Sequence, residues 1–308
     1  MKPSILITAG DPLGIGPEIT VKTLKDPAVR RACSLYVIGD AAALGRAGWT
    51  AALCPLIPVN AVAPDFPRPR PTRAGGLASL AAVMLAARLM RSGFFGALVT
   101  APVSKEAWAL AKSPAPAHTD LFRLLERREP LMLFSRGRVN AALVTEHLPV
   151  KDLSRKITKE LVEEKAALFA GALRRLGKKN PSITLCALNP HAGDGGVIGT
   201  EELRVLRPAA AALRRRGLRI SDPVPSDAAW AAHLAGRSDG LLALYHDQAL
   251  APLKTAPGGP AVHWTWGLSF PRTSPAHGTA FDIAGKRRAD PAGMKAAALF
   301  AARLAKGG

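Results

Sequence analysis

Residues 4–25 read SILITAGDPLGIGPEITVKTLK, and this stretch indicates the fold class. The apolar run Ser4–Thr8 predicts a buried strand, and a helix is predicted over Pro17–Lys25. Between them, glycines let the backbone turn tightly, and Pro17 suits the first position of a helix. No third glycine is in register for a Rossmann fingerprint. The turn is suited equally to holding an anion on free helix amides and to serving as a plain connection.

The same alternation of short apolar runs and longer helical segments continues along the 308 residues. Strands are predicted over Ile5–Thr8, Leu35–Ile38, Ala97–Thr100, Leu131–Phe134, Asn140–Thr145, Ile183–Leu188, Leu241–Leu244 and Val262–Trp266. Helices are predicted over Pro17–Lys25, Gly76–Arg91, Lys105–Ala111, Thr119–Arg127, Leu153–Leu176, Glu201–Arg215, Asp227–Leu234 and Pro291–Leu304. The pattern predicts an α/β fold, and the length allows two α/β lobes or layers.

The net charge of +19 raises the possibility of a nucleic-acid partner. The basic clusters at 174–179 and 214–217 each close a predicted helix, where the helix dipole favours cations. Gly177 and Gly217 fit the position just after each helix end. No RNA-binding aromatic signature or zinc finger accompanies the clusters, so we expect no specific nucleic-acid partner. A basic surface also attracts phosphate-bearing metabolites.

The two ends of the chain and its cysteines predict a cytoplasmic protein. Met1-Lys2-Pro3 leads directly into a strand that is too short for a signal-peptide core. The run Ala292–Ala305 is mostly alanine with two charged residues, which predicts a docking helix rather than a membrane span. Three cysteines stand alone without a CxxC pair, as in a reducing compartment: Cys33, Cys54 and Cys186.

Three histidines lie in short polar segments that each follow a predicted strand. The segments are TEHLP with His147, NPHAG with His191 and YHDQ with His246. Sites assemble at strand ends because the sheet is rigid and the loops leave side chains exposed. Taken singly, each histidine fits a hydrogen-bonded structural residue. Three together suit a catalytic metal with an open coordination position.

Other polar residues are candidates for ligand contacts. His118 opens a predicted short helix and has no evident structural role, whereas Thr119 or Asp120 suits the helix cap. Lys254 and Arg272 are candidate anion-binding residues, with exposed solvated side chains as the alternative.

These segments together resemble the 4-hydroxythreonine-4-phosphate dehydrogenase family of pyridoxal phosphate biosynthesis. The resemblance runs nearly end to end and rests on NPHAGDGG at 189–196, YHDQ at 245–248 and HGTA at 277–280. It implies a two-lobed α/β/α fold of the isocitrate/isopropylmalate dehydrogenase type, with the active site in the interlobe cleft. The first lobe would comprise residues 1–125 and 270–308. The second lobe, residues 126–269, would carry the metal ligands and the dimer interface.

The family's metal-binding residues map onto this chain by motif. His147, His191 and His246 match the ligands of a divalent metal, zinc, magnesium or cobalt, with the third ligand donated across a homodimer. These histidines would therefore share in catalysis. The proton acceptor for the substrate hydroxyl is left open between Asp247 and Lys254.

The resemblance also assigns the substrate contacts. His118 and Thr119 match the family's substrate-binding pair, and Lys254 and Arg272 match residues expected to hold the phosphate or its neighbours. His263 stands where the family usually has an asparagine substrate contact. Imidazole is larger than a carboxamide and can carry charge, so we expect the amino-acid end of the substrate to be recognised differently.

The run at 277–285 resembles the adenosine-binding loop of isopropylmalate dehydrogenases. By that analogy His277, Gly278 and Asp282 would contact the cofactor, and Asp282 would hydrogen-bond the adenosine ribose. A carboxylate there would repel a 2′-phosphate, so NAD is expected rather than NADP.

The implied reaction is NAD-dependent and metal-dependent oxidation of 4-phosphooxy-L-threonine to 2-amino-3-oxo-4-phosphooxybutanoate. That product decarboxylates to 3-amino-2-oxopropyl phosphate. His263 keeps open a 4-phosphorylated sugar acid (4-phosphothreonate or erythronate type) or a dihydrodiol dicarboxylate as substrate. A metal-dependent phosphatase is a more distant alternative, because three histidines and a divalent ion also activate water. A decarboxylating dehydrogenase with carboxylate metal ligands is disfavoured by the histidine-rich set.

Overall fold

The structure, a computed structural model, describes residues 2–59, 69–256 and 258–307. The chain divides into two units, which we describe separately. Unit 1 comprises Met1–Pro130 and Val262–Lys306, and unit 2 comprises Leu131–Ala261. The sequence predicts the two lobe boundaries at 125/126 and 269/270, whereas the units divide at 130/131 and 261/262.

Unit 1 is built on a mainly parallel sheet. Its strands are β1 (Ser4–Thr8), β2 (Ser34–Gly39), β3 (Leu56–Pro58), β4 (Ala97–Thr100), β10 (Val262–Trp266) and β11 (Arg272–Pro275). They lie in the order β3-β2-β1-β4-β11-β10, and only the β10–β11 pair among them is antiparallel. The helices are α1 (Gly16–Lys25), α2 (Pro27–Ala32), α3 (Ala41–Arg46), α4 (Arg73–Met90), α5 (Lys105–Leu110), α6 (His118–Glu126) and α12 (Ala292–Lys306).

Apolar side chains cover both faces of this sheet. In β1, Ile5 and Ile7 pack into one apolar core with α1 and α12, while Leu6 packs into a second core with α4 and α6. Strands that are covered on both faces carry continuous apolar runs, which explains why β1 lacks a polar alternation. By length and composition, the 18-residue α4 is the one helix in the described ranges that could cross a membrane. Of that helix, 56% is buried inside unit 1, so its apolar residues serve the core.

Unit 2 also combines β-strands with helices. Its strands are β5 (Leu131–Arg136), β6 (Val139–Leu143), β7 (Ser182–Leu185), β8 (Arg219–Ile220) and β9 (Gly240–Ala243), in the order β5-β6-β9-β7-β8. The β5–β6 pair is an antiparallel hairpin, and the other pairs are parallel. The helices are α7 (Leu153–Lys156), α8 (Lys159–Arg175), α9 (Arg207–Arg215), α10 (Ser226–Leu234) and α11 (His246–Thr255).

The predicted α/β class is confirmed, and the differences in detail have local causes. The helix predicted over Leu153–Leu176 is two helices, because the Thr158 hydroxyl caps a new start by accepting the Leu161 N–H at 3.2 Å. The helix predicted over Glu201–Arg215 begins with a π-helical turn, Glu202–Leu206, before α9. Pro208 has no N–H group, so it cannot donate the hydrogen bond that one continuous α-helix over Glu201–Arg215 would need at that position.

Six elements were not predicted: α2, α3, α11, β3, β8 and β11. The α11 helix starts with the polar YHDQ motif and contains Pro252, both of which weaken a helical signal. The β11 sequence Arg-Thr-Ser-Pro lacks an apolar run, although all four residues are buried.

We expect Gly76→Ala to destabilise the protein, because α4 and α5 meet there at backbone distance. A β-carbon at Gly76 would lie 2.0 Å from the Ala107 carbonyl oxygen, so the helices must shift. The expected loss in the free energy of unfolding is about 1–3 kcal/mol, measured by urea denaturation. Gly45 in α3 has nothing within 4 Å of such a β-carbon and is the matched control. Gly45→Ala should stabilise by about 0.5–1 kcal/mol, and equal effects at both positions would contradict this packing.

Candidate active site

Three loops of unit 1 meet at the ends of its parallel strands. Gly10 follows β1 with φ of +76°, and a β-carbon there would lie 2.3 Å from the Pro102 carbonyl oxygen after β4. The Ile15 N–H donates to the Thr279 carbonyl oxygen at 2.9 Å, which ties the glycine-rich turn to the HGTA motif. The three motifs therefore belong to one loop cluster, as expected for carboxyl ends of neighbouring parallel strands.

Asp11 is the titratable group inside this cluster. Its side chain is fully buried, and Oδ1 accepts the Leu13 N–H at 3.0 Å. Burial raises the pKa of the Asp11 carboxyl to about 6, and the Leu13 hydrogen bond opposes that rise. This network identifies Asp11 as a positioning group of the turn, a role that the sequence did not indicate.

Arg272 is a buried cation held by hydroxyl groups. Its Nε and Nη2 donate to Thr100 Oγ1 at 3.0 and 2.6 Å, and its Nη1 donates to Thr265 Oγ1 at 3.3 Å. Burial lowers the pKa of the Arg272 guanidinium to about 9, so it stays charged at neutral pH. Within the described ranges no carboxylate forms an ion pair with it. A buried charge without a counter-charge is costly, so the site is suited to an anionic ligand group.

Two of the predicted substrate-binding histidines lie against this guanidinium. His263 Nδ1 is 3.4 Å from Arg272 Nη1 and 3.2 Å from Ser274 Oγ. The His118 ring packs edge-on against Trp108 with centroids 5.4 Å apart. Burial, followed by the charges of Arg272 and His263, holds the pKa of His118 well below its usual range, so its imidazole is neutral. The structure thus brings together His118, His263 and Arg272.

The ring of His118 has an unsatisfied polar atom. Its Nε2 is buried and has no hydrogen-bond partner in the part of the chain that the structure describes. Buried polar atoms are nearly always hydrogen-bonded, so this nitrogen is suited to a ligand atom. Thr119 follows in the first turn of α6 and is also buried.

The predicted cofactor-binding residues lie on the surface of unit 1. His277 is exposed, and its Nδ1 is 3.1 Å from the Gly278 carbonyl oxygen. A β-carbon at Gly278 would meet nothing within 4 Å, so the backbone there is open. Asp282 is exposed in the same loop, which leaves its carboxylate accessible to a ribose hydroxyl.

In unit 2, two of the three predicted metal ligands are neighbours. His147 follows β6 and His246 follows β9, and these strands are paired in parallel with Leu143 opposite Ala243. Their imidazole rings are therefore close, with centroids 5.5 Å apart. His246 Nδ1 lies 2.7 Å from Asp247 Oδ1, so Nε2 is the ring nitrogen left for a ligand. A carboxylate that orients an imidazole in this way is typical of metal ligands.

His191 is exposed in the loop 190–196 that follows β7, the strand on the other side of β9. In the described ranges no group of three or more His, Cys, Asp or Glu side chains is arranged to hold a metal ion. One chain thus gathers His147 and His246 as a pair, and His191 is placed on a neighbouring strand end. Lys254 is exposed in the last turn of α11.

Thr100 and Thr265 accept hydrogen bonds from Arg272, a role that the sequence did not indicate. Thr265 lies directly opposite Arg272 in the β10–β11 pairing, and Thr100 ends β4 beside β11. Each sits in an apolar run, where a threonine is typical of any strand. The one sequence signal for these two residues is a hydroxyl group near the polar end of a buried strand.

The comparisons with known proteins agree with the motifs. The family model for "Pyridoxal phosphate biosynthetic protein PdxA" matches residues 28–301. A protein of Geobacter metallireducens named 4-hydroxythreonine-4-phosphate dehydrogenase is 39% identical over 327 residues, covering 99% of this chain and 96% of the relative.

Solved structures extend this similarity to the fold. The 4-hydroxythreonine-4-phosphate dehydrogenase of Klebsiella pneumoniae superimposes with a TM-score of 0.88 at 31% identity, covering 99% of this chain and 98% of that one. The isocitrate dehydrogenase of Methylococcus capsulatus has a TM-score of 0.50 at 16% identity, over 96% of this chain and 84% of that one, which shows a shared fold alone. The predicted fold type is thereby confirmed. Because the family model and the relatives span nearly all of this sequence, the chain belongs to the PdxA family of pyridoxal phosphate biosynthetic proteins.

Proposed function

We propose that this protein oxidises 4-phosphooxy-L-threonine with NAD and a divalent metal ion, as a dehydrogenase of pyridoxal phosphate biosynthesis. The product, a β-keto acid, then loses carbon dioxide to give 3-amino-2-oxopropyl phosphate. The observation that carries the proposal is the buried Arg272, which has hydroxyl partners and no carboxylate in the described chain. Such a group is suited to a phosphate, because a guanidinium can bind two phosphate oxygens at once.

In this proposal, unit 1 binds the phosphate. Arg272 supplies the charge, and Thr100 and Thr265 fix the plane of its guanidinium. Neutral His118 offers the buried Nε2 to a phosphate oxygen, and Thr119 lies next to it in α6. His263 lies beside Arg272, at the position where the family usually carries an asparagine, and we assign it to substrate recognition there. Lys254 is also proposed as a substrate contact.

The histidines of unit 2 are assigned to the substrate hydroxyl. His147, His191 and His246 would hold the metal, and Asp247 would keep the His246 ring in the orientation that presents Nε2. When bound, the metal lowers the pKa of the substrate hydroxyl and NAD takes up the hydride. Imidazole donors suit zinc or cobalt better than magnesium, which prefers oxygen ligands. Asp247 and Lys254 are the two candidates to receive the hydroxyl proton.

We include a homodimer in the proposal, with a partner chain completing the histidine set. One chain gathers two of the three histidines, which is one fewer than a catalytic site of this type uses. Apolar side chains are exposed near His147 and near His191: Val150 is 75% and Val197 is 84% accessible. A cytoplasmic location is part of the same proposal and is supported by three free, buried cysteines.

We expect purified protein to form NADH from NAD and 4-phosphooxy-L-threonine, and a chelator to abolish this activity. Added zinc or cobalt should restore it. His246→Ala should lower kcat by about 10²–10³-fold, because the metal supplies several kcal/mol of transition-state stabilisation. His233→Ala is the matched control, since that buried histidine of unit 2 only bonds Asn140 and Ser238.

The same assay separates the alternatives. Faster NADH formation from a 4-phosphorylated sugar acid or a dihydrodiol dicarboxylate would replace the proposed substrate. Release of inorganic phosphate without NADH would indicate a phosphatase and overturn the proposal.

Arg272→Gln should raise KM for the phosphorylated substrate by about 10²-fold or more, because it removes the counter-charge of a desolvated phosphate. Millimolar inorganic phosphate should raise the Tm of the wild-type protein by binding the native state, and should lose that effect in the variant. Arg214→Gln is the control, since Arg214 is paired with Asp222 at 2.9 Å in unit 2. Unchanged KM and phosphate response in Arg272→Gln would place the phosphate elsewhere.

NAD should be preferred over NADP by at least about tenfold in kcat/KM, since the Asp282 carboxylate would repel a 2′-phosphate. Asp282→Asn should narrow this preference mainly through KM for NADP. Asp290→Asn serves as control, because Asp290 is also exposed and bonds only the Ala292 N–H nearby. Comparable efficiency of the wild-type protein with both cofactors would contradict the assignment of Asp282.

A further inference from the structure

The loop that carries His191 has an unusual backbone. Six consecutive residues, 191–196, have positive φ, and three of them are not glycine: His191 at 52°, Ala192 at 55° and Asp194 at 46°. Left-handed conformations cost L-residues about 1–2 kcal/mol each, so they persist only where surrounding contacts impose them. Such strain is concentrated at functional sites.

A buried carboxylate imposes this conformation from one side. Glu202 is 1% exposed, and its Oε1 accepts the N–H groups of Leu188 and Asn189, both at 2.8 Å. Its Oε2 accepts Asn189 Nδ2 at 2.9 Å. Gly193 passes so close that a β-carbon there would lie 2.7 Å from Glu202 Oε2. The carboxylate thus fixes both the entry to the loop and its middle.

A second glutamate extends the network toward the segment that follows His147. Glu201 Oε2 accepts Asn189 Nδ2 at 2.7 Å, and its Oε1 accepts the Ser154 hydroxyl at 2.5 Å. Ser154 lies in α7, which follows the His147 segment. Asn189 therefore bridges two carboxylates, and these link two of the histidine-bearing segments of unit 2. Glu202 also begins a π-helical turn, a distortion frequent at functional sites.

The carboxylates of Glu201 and Glu202 accept hydrogen bonds from uncharged donors. Across the part of the chain that is described, neither Glu201 nor Glu202 forms an ion pair with Lys or Arg. Burying a carboxylate is costly unless several N–H groups satisfy it, and a cation is the usual partner of one. The donors to Glu202 all belong to Leu188 and Asn189, so its stabilisation is directed at the start of the His191 loop.

We propose that Asn189, Glu201 and Glu202 are positioning residues that hold the strained loop and thereby fix the His191 imidazole for metal binding. The inference rests on the proposed role of His191 as a metal ligand. Outer-shell groups that orient ligands change metal affinity by about 10–100-fold when they are removed. The network would act through ligand preorganisation and contact neither substrate nor cofactor.

The test is a Co²⁺ titration of the full-length protein, read from the visible spectrum of the bound ion and fitted for Kd. Asn189→Ala and Glu202→Ala should weaken Co²⁺ binding about 10–100-fold and alter the spectrum. Glu202→Gln should recover most of the affinity, because its side-chain oxygen can still accept both backbone N–H groups. Should Glu202→Ala fail to fold, Asn189→Ala and Glu202→Gln are sufficient for the comparison.

Asn140→Ala is the matched control for a purely structural effect. Asn140 is a buried asparagine of unit 2 that bonds Ser135, Arg138 and Asp239 at the start of β6, the end remote from His147. Its loss should reduce stability and leave the Co²⁺ Kd within about twofold of wild type. Wild-type affinity in Asn189→Ala, or equal weakening in Asn140→Ala, would overturn the proposal.

His191→Ala distinguishes this inference from the proposed function. If His191→Ala loses Co²⁺ binding while Asn189→Ala keeps it, the ligand assignment stands and the positioning role fails. If His191→Ala binds Co²⁺ as wild type does, the ligand assignment itself fails.

Discussion

The parallel register of neighbouring strands is the constraint on which both halves of the chemistry depend. In unit 1, β4 is paired with β1 on one side and with β11 on the other, so Thr100 ends beside the strand that carries Arg272. In unit 2, the pairing of β6 with β9 places His147 and His246 at the same sheet edge. Because the carboxyl ends of parallel strands lie at the same edge of a sheet, residues that are distant in sequence become neighbours there.

The polar groups of unit 1 form an electrostatic arrangement that is suited to an anion. Arg272 is buried among hydroxyl groups, which orient a guanidinium without neutralising it. His118 is held neutral by burial and by the charge of Arg272, so it adds a hydrogen-bonding atom and no further positive charge. A buried charge of this kind lowers the stability of the folded protein, and binding of an anion would offset that cost.

Unit 2 relies on orientation rather than on burial. The pair formed by His147 and His246 is accessible, and Asp247 sets the direction of one ring. His191 depends on a strained loop, which the Asn189, Glu201 and Glu202 network holds in place. In the proposed site, a neighbouring carboxylate and a buried hydrogen-bond network would both orient imidazole rings toward a ligand.

The sequence by itself determined the α/β class, because apolar runs, glycine turns and helix starts are local signals. It also determined which histidines follow strands, and the combination of NPHAGDGG, YHDQ and HGTA identified the family. Only the tertiary structure decided that Thr100 and Thr265 hold Arg272, and that Glu202 is buried beneath the His191 loop. It alone placed α11 and β11, whose polar sequences hide their regular structure. The physical reason is that strand order, burial and hydrogen-bond partners arise between residues far apart in the chain, where no local pattern records them.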